Sequence, residues 1–240
     1  MATPPRGILI TGTDTGIGKT FITAGLAGAF RRRGLSVAPF KAAETGCATE
    51  AGTNRLIPAD AELLRHACAT EASLDPICPY RFVPPLAPWV AAEQAGVTID
   101  PVRLEQCYNE LAASHDRVLV ETAGGILVPL NGSFHFADLA RLLRLPVIVV
   151  VGSKLGAINH ARLTLEVVAA AGLEAIACVL NHPFEEASEA TATNETTLRR
   201  LTSVPLFVIP HRQNISGPWD DTAFDPLALH VEAALCTADR

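Results

Sequence analysis

The sequence GILITGTDTGIGKTF, from Gly7 to Phe21, decides how the rest of the chain is interpreted. Its apolar segment Ile8–Thr11 predicts a buried strand, and the glycines that follow predict a loop. An alanine-rich segment, Lys19–Arg33, then predicts a helix that ends before a glycine. A strand, a glycine-rich loop, a Lys-Thr pair and a helix in this order are typical of a phosphate-binding P-loop.

Each residue type in this loop has a chemical reason. Gly16 and Gly18 allow backbone N–H groups to approach phosphate oxygens, and the helix start adds its positive dipole end. Lys19 supplies a charge for the outer phosphates, and the Thr20 hydroxyl is suited to holding Mg²⁺. The loop departs from the common motif at one point, because Thr13 stands where the first glycine is usual. We expect nucleotide contacts from Gly12, Thr13, Asp14, Thr15, Gly16, Ile17, Gly18, Lys19 and Thr20.

Composition limits the class of protein. The chain has 240 residues, of which 49% are hydrophobic, so we expect residues 1–240 to form one domain around a large core. The net charge is −6, and the main basic cluster, Arg31–Arg33, ends a predicted helix, where cations favour the helix dipole. These features argue against nucleic acid as a partner.

The cysteines and the apolar segments indicate a cytoplasmic protein. Six cysteines are scattered without the paired spacing of a metal site, which favours reduced thiols. The first residues, MATPPRG, lack the basic-then-apolar order of a signal peptide. No apolar run reaches the length of a membrane span, so we expect no membrane partner.

The use of lysine is selective. Of the 19 cations, only Lys19, Lys41 and Lys154 are lysines, and the others are arginines. Lysine provides a compact point charge where arginine provides a wide planar fork, so a retained lysine is a candidate for a role that a guanidinium cannot fill. Chance retention is the alternative, and for Lys41 so is a strand-end side chain that reaches to water.

Strands alternate with helices along the whole chain, which predicts an α/β fold: a mostly parallel sheet with helices on both faces. The predicted strands are Ile8–Thr11, Val37–Phe40, Arg117–Val120, Leu145–Val151, Ala175–Leu180 and Leu206–Ile209. The other predicted helices are Ala59–Ala69, Ala91–Gly96, Pro101–Ser114, Phe136–Arg144, Ile158–Ala171, Glu195–Leu201 and Pro226–Cys236. We expect loops at 42–58 and 182–194, an extended proline-rich segment at 77–88, and turns at 210–225.

Polar residues and glycines follow the predicted strands, at the edge where parallel sheets bind ligands. Mg²⁺ prefers oxygen ligands with few protein carboxylates, and Thr20, Asp60 and Glu121 would supply such a set. Asp60 also has a purely structural explanation, because a carboxylate in the first turn of a helix is favoured by the dipole.

Five segments together resemble the dethiobiotin synthetase family. They are GTDTGIGKT (12–20), PFKAAETG (39–46), Asp60 after a loop, VLVETAGG (118–125) and PVIVVVGSKLGAINHA (146–161). The resemblance runs from the first strand to about Asn181 and then weakens. The first and last segments are the distinctive ones, since a P-loop alone is shared by a very large class of NTPases.

This resemblance implies a reaction. The family uses ATP as co-substrate and Mg²⁺ as cofactor to carboxylate 7,8-diaminononanoate with CO₂ (supplied as bicarbonate) and to close a cyclic urea. One amine of the substrate traps CO₂ as a carbamate, the carbamate oxygen attacks the γ-phosphate, and the second amine displaces phosphate from the resulting anhydride.

The resemblance also implies residue roles. Lys19, Lys41 and Thr15 would be the catalytic residues, with Thr15, Lys41 and Thr45 facing the carbamate and the γ-phosphate. Thr20, Asp60 and Glu121 would hold Mg²⁺, while Asn181 and Pro210 would contact the adenine. In a homodimer, the substrate carboxylate would be received by a turn of the second subunit, formed by Gly156, Ala157, Ile158 and Asn159. A helix N-terminus of this kind suits an anion.

Three positions depart from the family pattern. Thr122 stands where glycine is common after the glutamate, Trp89 stands where relatives often have histidine, and Gly16 stands where some members carry an acidic residue. We expect these differences to bear on substrate binding, with Trp89 altering a lid over the substrate.

Two other interpretations remain open. A dimeric regulatory P-loop ATPase of the partitioning type shares the fold, but such proteins usually carry an additional lysine early in the loop, and GTDTG has none. An amide-forming ligase of the same superfamily is the second alternative.

Overall fold

Twelve strands appear in the computed structural model of the protein, which describes residues 6–183, 188–212 and 217–237. They are β1 (Gly7–Gly12), β2 (Val37–Lys41), β3 (Ala43–Thr45), β4 (Ala48–Thr49), β5 (Leu56–Ile57), β6 (Tyr80–Phe82), β7 (Arg117–Glu121), β8 (Pro129–Asn131), β9 (Phe134–His135), β10 (Val147–Gly152), β11 (Ala175–Asn181) and β12 (Leu206–Ile209). Six of them form one parallel sheet in the order β12-β11-β10-β1-β7-β2.

Helices cover both faces of this sheet. They are α1 (Lys19–Arg32), α2 (Ala59–Cys68), α3 (Leu74–Ile77), α4 (Pro88–Gln94), α5 (Pro101–Ser114), α6 (Phe136–Leu142), α7 (Ala157–Ala170), α8 (Glu189–Leu201) and α9 (Asp225–Thr237). Because side chains alternate along a strand, Leu9 packs in one core with Phe40 and Phe136, whereas Ile8 packs in the other with Phe30. The predicted α/β class, with a parallel sheet between two helical layers, is therefore confirmed.

Helix α8 begins earlier than the sequence predicts. We predicted that the chain is a loop from 182 to 194 and that a helix begins at Glu195, but α8 begins at Glu189. Ser188 accepts a hydrogen bond from the Thr191 backbone and the Thr191 side chain accepts from Ser188 in turn, which is a capping box at the helix start. The acidic composition of this segment hid that signal. Residues 184–187 of the predicted loop lie outside the described residues.

Two segments predicted as irregular contain secondary structure. Within 42–58, β3 pairs in parallel with β6, and β4 pairs with β5 as a short antiparallel hairpin. The proline-rich segment 77–88 is not extended throughout, because Ile77 ends α3 and Pro88 begins α4. Proline is tolerated in the first turn of a helix, where its missing N–H has no partner to lose.

The C-terminal part follows the prediction closely. Strand β12 has the predicted bounds, and the turn-rich tail contains two short 3₁₀ helices, Pro218–Asp220 and Thr222–Phe224. Residues 213–216 of that tail lie outside the described residues.

The described residues contain no helix that is both long enough and apolar enough to cross a membrane.

Candidate active site

A cavity of about 700 Å³ opens at the carboxyl edge of the sheet. One wall is the P-loop, with Thr15, Lys19 and Thr20, and the next comprises the ends of β2 and β7. Pro85, Leu86, Ala87 and Pro88 add apolar surface to the lining. The cavity therefore combines an apolar surface with several cations and carboxylates.

The P-loop is held from below by Asn181, at the end of β11. The Asn181 side chain is 2% exposed, and its Nδ2 donates a hydrogen bond to the Ile17 carbonyl over 2.8 Å. Gly18 lies directly above it with φ +91°, and a Cβ at Gly18 would be 2.3 Å from Asn181 Nδ2. Glycine is required here by both the backbone conformation and the contact.

The Lys19 side chain lies against the P-loop backbone. It is 7% exposed, and its Nζ donates to the Asp14 carbonyl over 2.9 Å. Burial lowers the pKa of Lys19 from its ordinary value, and the Glu121 charge opposes that shift. The Asp14 carboxylate accepts from Lys154 Nζ at 2.8 Å and from the Thr15 N–H, and these bonds lower the pKa of Asp14.

Glu121 is the most enclosed charge of the site. It ends β7, is 0% exposed, and accepts at Oε1 from Thr20 Oγ1 over 2.9 Å. Its Oε2 lies 2.7 Å from Thr23 Oγ1. The sequence analysis did not single out Thr23, although it lies three residues after Thr20 and so falls on the same face of α1.

Lys41 joins two carboxylates. It is 4% exposed, and its Nζ lies 2.6 Å from Asp60 Oδ2 and 2.8 Å from Glu121 Oε1. Burial alone would lower the pKa of Lys41, but the charges of Glu121 and Asp60 outweigh it and raise the pKa above its ordinary value. The alternative in which Lys41 reaches to water is therefore wrong.

Glu44 is a second functional candidate that the sequence analysis did not select. It belongs to β3, is 6% exposed and lines the cavity. Its carboxylate accepts from the backbone N–H groups of Asp60 and Ala61, at the start of α2. Burial raises the pKa of Glu44, and the Lys41 charge opposes the rise.

The structure brings together most of the predicted site residues. Thr15, Gly16, Gly18, Lys19, Thr20, Lys41, Thr45, Asp60 and Glu121 all line the one cavity. Gly12, Thr13, Asp14 and Ile17 belong to the same loop, and the Thr13 N–H donates to Val150 at the end of β10. Asn181 lies beneath the loop, and Pro210 directly follows β12.

Four predicted substrate residues lie elsewhere. Gly156, Ala157, Ile158 and Asn159 form the turn before and the first residues of α7, and they do not line the cavity. Gly156 has φ +90°, so the chain enters the helix through a left-handed residue. The preceding residue, Leu155, is 86% exposed.

The three departures from the family pattern have structural explanations. Thr122 is buried, and its hydroxyl donates to the Gly124 carbonyl over 2.7 Å, so it stabilises the turn after β7. The Trp89 ring lies against Gly132, in the turn between β8 and β9, and does not line the cavity. A side chain at Gly16 would meet open space, although φ is +72° there.

Among the described residues, no group of three or more His, Cys, Asp or Glu side chains is arranged to hold a metal ion. The expected ligands are two carboxylates and one hydroxyl, and hydrogen bonds connect them. Asp60 and Glu121 both accept from Lys41 Nζ, and Glu121 also accepts from the Thr20 hydroxyl.

Comparisons with known proteins agree with this geometry. A family model described as an AAA domain matches residues 6–217. The chain is 42% identical over 209 residues to the ATP-dependent dethiobiotin synthetase BioD of Aromatoleum aromaticum, covering 87% of this chain and 92% of the relative. It is 42% identical over 202 residues to the synthetase of the same name from Pseudomonas aeruginosa, covering 84% and 88%.

Solved structures share the fold at lower identity. The septum site-determining protein MinD of Pyrococcus horikoshii, complexed with Mg-ADP, matches with a TM-score of 0.55 and 19% identity, covering 95% of this chain and 96% of that one. The cell division ATPase MinD of Pyrococcus furiosus matches with a TM-score of 0.56 and 21% identity, covering 96% and 99%. At these identities the likeness establishes the P-loop NTPase fold alone. The relatives at 42% identity, each covered over most of its length, establish more: the chain belongs to the dethiobiotin synthetase family.

Proposed function

We propose that this protein is an ATP-dependent dethiobiotin synthetase, which carboxylates 7,8-diaminononanoate with CO₂ and closes the ureido ring for biotin biosynthesis. The observation that carries the proposal is the buried Lys41 ammonium, held between Asp60 and Glu121 beside the P-loop. A fixed, desolvated cation at this point can stabilise the negative charge that develops as a carbamate oxygen takes up the γ-phosphoryl group.

Mg²⁺ fits the oxygen donors of the site. Thr20, Asp60 and Glu121 are hard ligands with only two carboxylates among them, which leaves coordination positions for phosphate oxygens and water. When bound, Mg²⁺ supplies positive charge that neutralises the charge on the transferred phosphoryl group.

The residues of the chain divide the remaining work. Lys19 and the backbone of the P-loop would orient the phosphates, while Thr15 and Thr45 would fix the carbamate next to Lys41. Residues 85–88 also line the cavity, and their apolar side chains would limit the access of water and so strengthen each of these electrostatic contacts. Asn181 and Pro210 would contact the adenine. Since phosphoryl transfer is mainly positioning and charge stabilisation, no covalent nucleophile is required.

A homodimer with composite sites is part of the proposal. The turn formed by Gly156, Ala157, Ile158 and Asn159 does not line its own chain's cavity. A helix N-terminus can bind a carboxylate, so this turn would receive the substrate carboxylate in the site of the second subunit.

The protein would act as one domain, residues 1–240, in the cytoplasm. Its six cysteines are free and five are buried, which supports a reducing compartment. Its net charge of −6 supports small molecules over nucleic acid as partners.

The partitioning ATPases are a weaker alternative. Solved structures of that type share the fold at under 25% identity. The GTDTG segment lacks the additional lysine expected of them. An amide-forming ligase of the same superfamily stays a second alternative. Only the identity of the substrate distinguishes it from a dethiobiotin synthetase.

An omission assay tests the proposal. Phosphate release is followed with diaminononanoate, bicarbonate, ATP and Mg²⁺ all present, and then with each left out in turn. We expect release to fall to background in every omission. Sustained ATP hydrolysis without the diamine, stimulated instead by a protein or by DNA, would favour the partitioning type.

A further inference from the structure

Glu44 is a buried acid that the proposed reaction does not use. It is 6% exposed, and both of its oxygens accept hydrogen bonds from backbone groups. One oxygen accepts from the Asp60 N–H over 3.0 Å, and the other accepts from the Ala61 N–H over 3.0 Å. Glu44 therefore binds the first turn of α2 through two adjacent backbone N–H groups.

Helix α2 depends on this outside acceptor. It begins after Pro58, which occupies the N-cap position and provides no side-chain hydrogen bond. The first N–H groups of a helix have no partner within it and need an acceptor from elsewhere. Asp60 lies in this first turn, but its carboxylate is turned towards Lys41 at 2.6 Å. Glu44 therefore caps the N-terminus of α2, and the Asp60 carboxylate remains available to contact Lys41 in the site.

These contacts connect Glu44, Asp60 and Lys41 at the edge of the cavity. Lys41 and Glu44 lie close together on consecutive strands, and Glu44 fixes the turn that carries Asp60. Asp60 in turn bonds Lys41. The chain between Glu44 and Asp60 includes the hairpin β4–β5, and β4 is exposed, so it offers little restraint of its own. Strand β3, by contrast, pairs with β6, and Glu44 is the register partner of Arg81. This pairing holds the backbone of Glu44 in place.

A carboxylate is the side chain that this position needs. Two parallel N–H donors require two acceptor atoms, and a carboxylate supplies both together with a charge that suits the helix N-terminus. Glutamine has the same shape but only one acceptor, so its NH₂ group would face a backbone donor.

We propose that Glu44 is a positioning residue: it holds the first turn of α2 so that the Asp60 carboxylate stays beside Lys41, at the phosphate end of the cavity. This inference rests on the proposed function, in which Asp60 is a ligand of Mg²⁺. It adds a residue that contacts the backbone of α2 and thereby determines where a metal ligand lies.

A double-mutant cycle tests this role without turnover. Binding of Mn²⁺ in the presence of ADP is measured by electron paramagnetic resonance for the wild type, Glu44→Gln, Asp60→Asn and the double variant. Losing an orienting partner of a metal ligand typically weakens metal affinity by about 10–100-fold, and we expect Glu44→Gln to fall near the lower end. Because Glu44 acts through Asp60, the double variant should bind no more weakly than Asp60→Asn alone.

Asp100→Ala is the matched control. Asp100 caps α5 by accepting from the Val102 N–H over 2.9 Å, and it is exposed and does not line the cavity. It should lower Tm, as Glu44→Gln should, but leave Mn²⁺ affinity unchanged. This separates the general loss of a helix cap from the specific loss of Asp60 placement.

The possible outcomes separate the positioning role of Glu44 from the role of Asp60 as a metal ligand. If Glu44→Gln lowers Tm but leaves Mn²⁺ affinity unchanged, or if the two losses simply add, the positioning role is wrong while the metal assignment stands. If Asp60→Asn itself leaves Mn²⁺ affinity unchanged, the metal assignment is wrong and the inference falls with it. Should Glu44→Gln fail to fold, Glu44→Asp keeps the charge and shortens the reach, and it must show the same non-additivity.

Discussion

Lys41 shows why residue identity matters more than charge at this site. Its ammonium contacts both Asp60 and Glu121, and the side chain is only 4% exposed. A point charge can be shared between two carboxylates in a closed space, whereas a planar guanidinium would displace one of them. The scarcity of lysine in the sequence indicated this position, but only the structure shows that its environment is buried.

The first prediction at this scale is that Lys41→Arg lowers kcat by about 100-fold or more, a size typical of losing one preorganised donor. The larger group must also fit a packed site, so unfolding free energy should fall by about 1–3 kcal/mol. Steady-state kinetics and urea denaturation measure the two effects. Arg55→Lys, an exchange at the exposed pair with Glu62, is the control and should change neither. A Lys41→Arg enzyme with near-normal kcat would remove Lys41 from the catalytic residues.

The second prediction separates the two carboxylates by their burial. Glu121 is 0% exposed with three partners, so Glu121→Gln should cost about 3 kcal/mol of stability as well as most of the turnover. The Asp60 side chain is 46% exposed, so Asp60→Asn should cost under about 1 kcal/mol while still lowering kcat strongly. Equal stability losses in urea denaturation, or normal kcat in either variant, would contradict this assignment.

At the scale of elements, the P-loop depends on a strand that is distant in sequence. Asn181 of β11 supports the Ile17 carbonyl and lies directly beneath Gly18. Two elements separated by more than 150 residues therefore set the shape of one loop, since the Asn181–Ile17 bond spans 164 positions.

We predict that Gly18→Ala weakens ATP binding by at least about tenfold, because a Cβ there would lie 2.3 Å from Asn181 Nδ2 and the left-handed backbone resists a side chain. Gly34→Ala is the matched control, since Gly34 has φ +83° but open space around the added methyl. Isothermal titration with ATP should give normal affinity for Gly34→Ala, with a stability loss of about 1–2 kcal/mol. Equal, normal ATP affinity in the two variants would show that neither the left-handed backbone nor the Asn181 contact at Gly18 governs nucleotide binding.

The elements also show which parts were predictable from sequence. The P-loop, β12 and α5 have strong local signals: a glycine loop, a short apolar run, and an Asp-Pro helix start. The start of α8 was missed because its capping box sits in an acidic segment. Glu44 could not be recognised as a helix cap, because its partners lie 16 and 17 positions away and only the fold brings them together.

At the scale of the whole molecule, the cavity and the turn that begins α7 are separate within one chain. Gly156–Asn159 lie outside the cavity, although Lys154 of the same turn region pairs with Asp14 of the P-loop. The proposed composite site between two subunits would account for a predicted substrate turn that does not line the cavity of its own chain.

This arrangement predicts complementation between inactive variants. In a homodimer with two composite sites, Lys19→Ala and Asn159→Ala each inactivate both sites, but a hybrid dimer retains one intact site. Equal mixing after reversible dissociation should therefore restore about a quarter of wild-type activity, since half the dimers are hybrids with one of two sites intact. Full activity of a dilute monomer, or no recovery in verified hybrid dimers, would contradict the composite site.

Labelled bicarbonate tests whether this protein joins CO₂ to a diamine at the expense of ATP. Bicarbonate carrying ¹³C and ¹⁸O is supplied with diaminononanoate, ATP and Mg²⁺ in a reaction short enough to limit oxygen exchange with water. Mass spectrometry then follows both isotopes. We predict ¹³C in the ring carbonyl of dethiobiotin and ¹⁸O in the released phosphate, because a carbamate oxygen leaves with the γ-phosphoryl group. Phosphate free of ¹⁸O beside labelled product would contradict the anhydride route, and ATP consumption without ¹³C in any ring product would contradict the function itself.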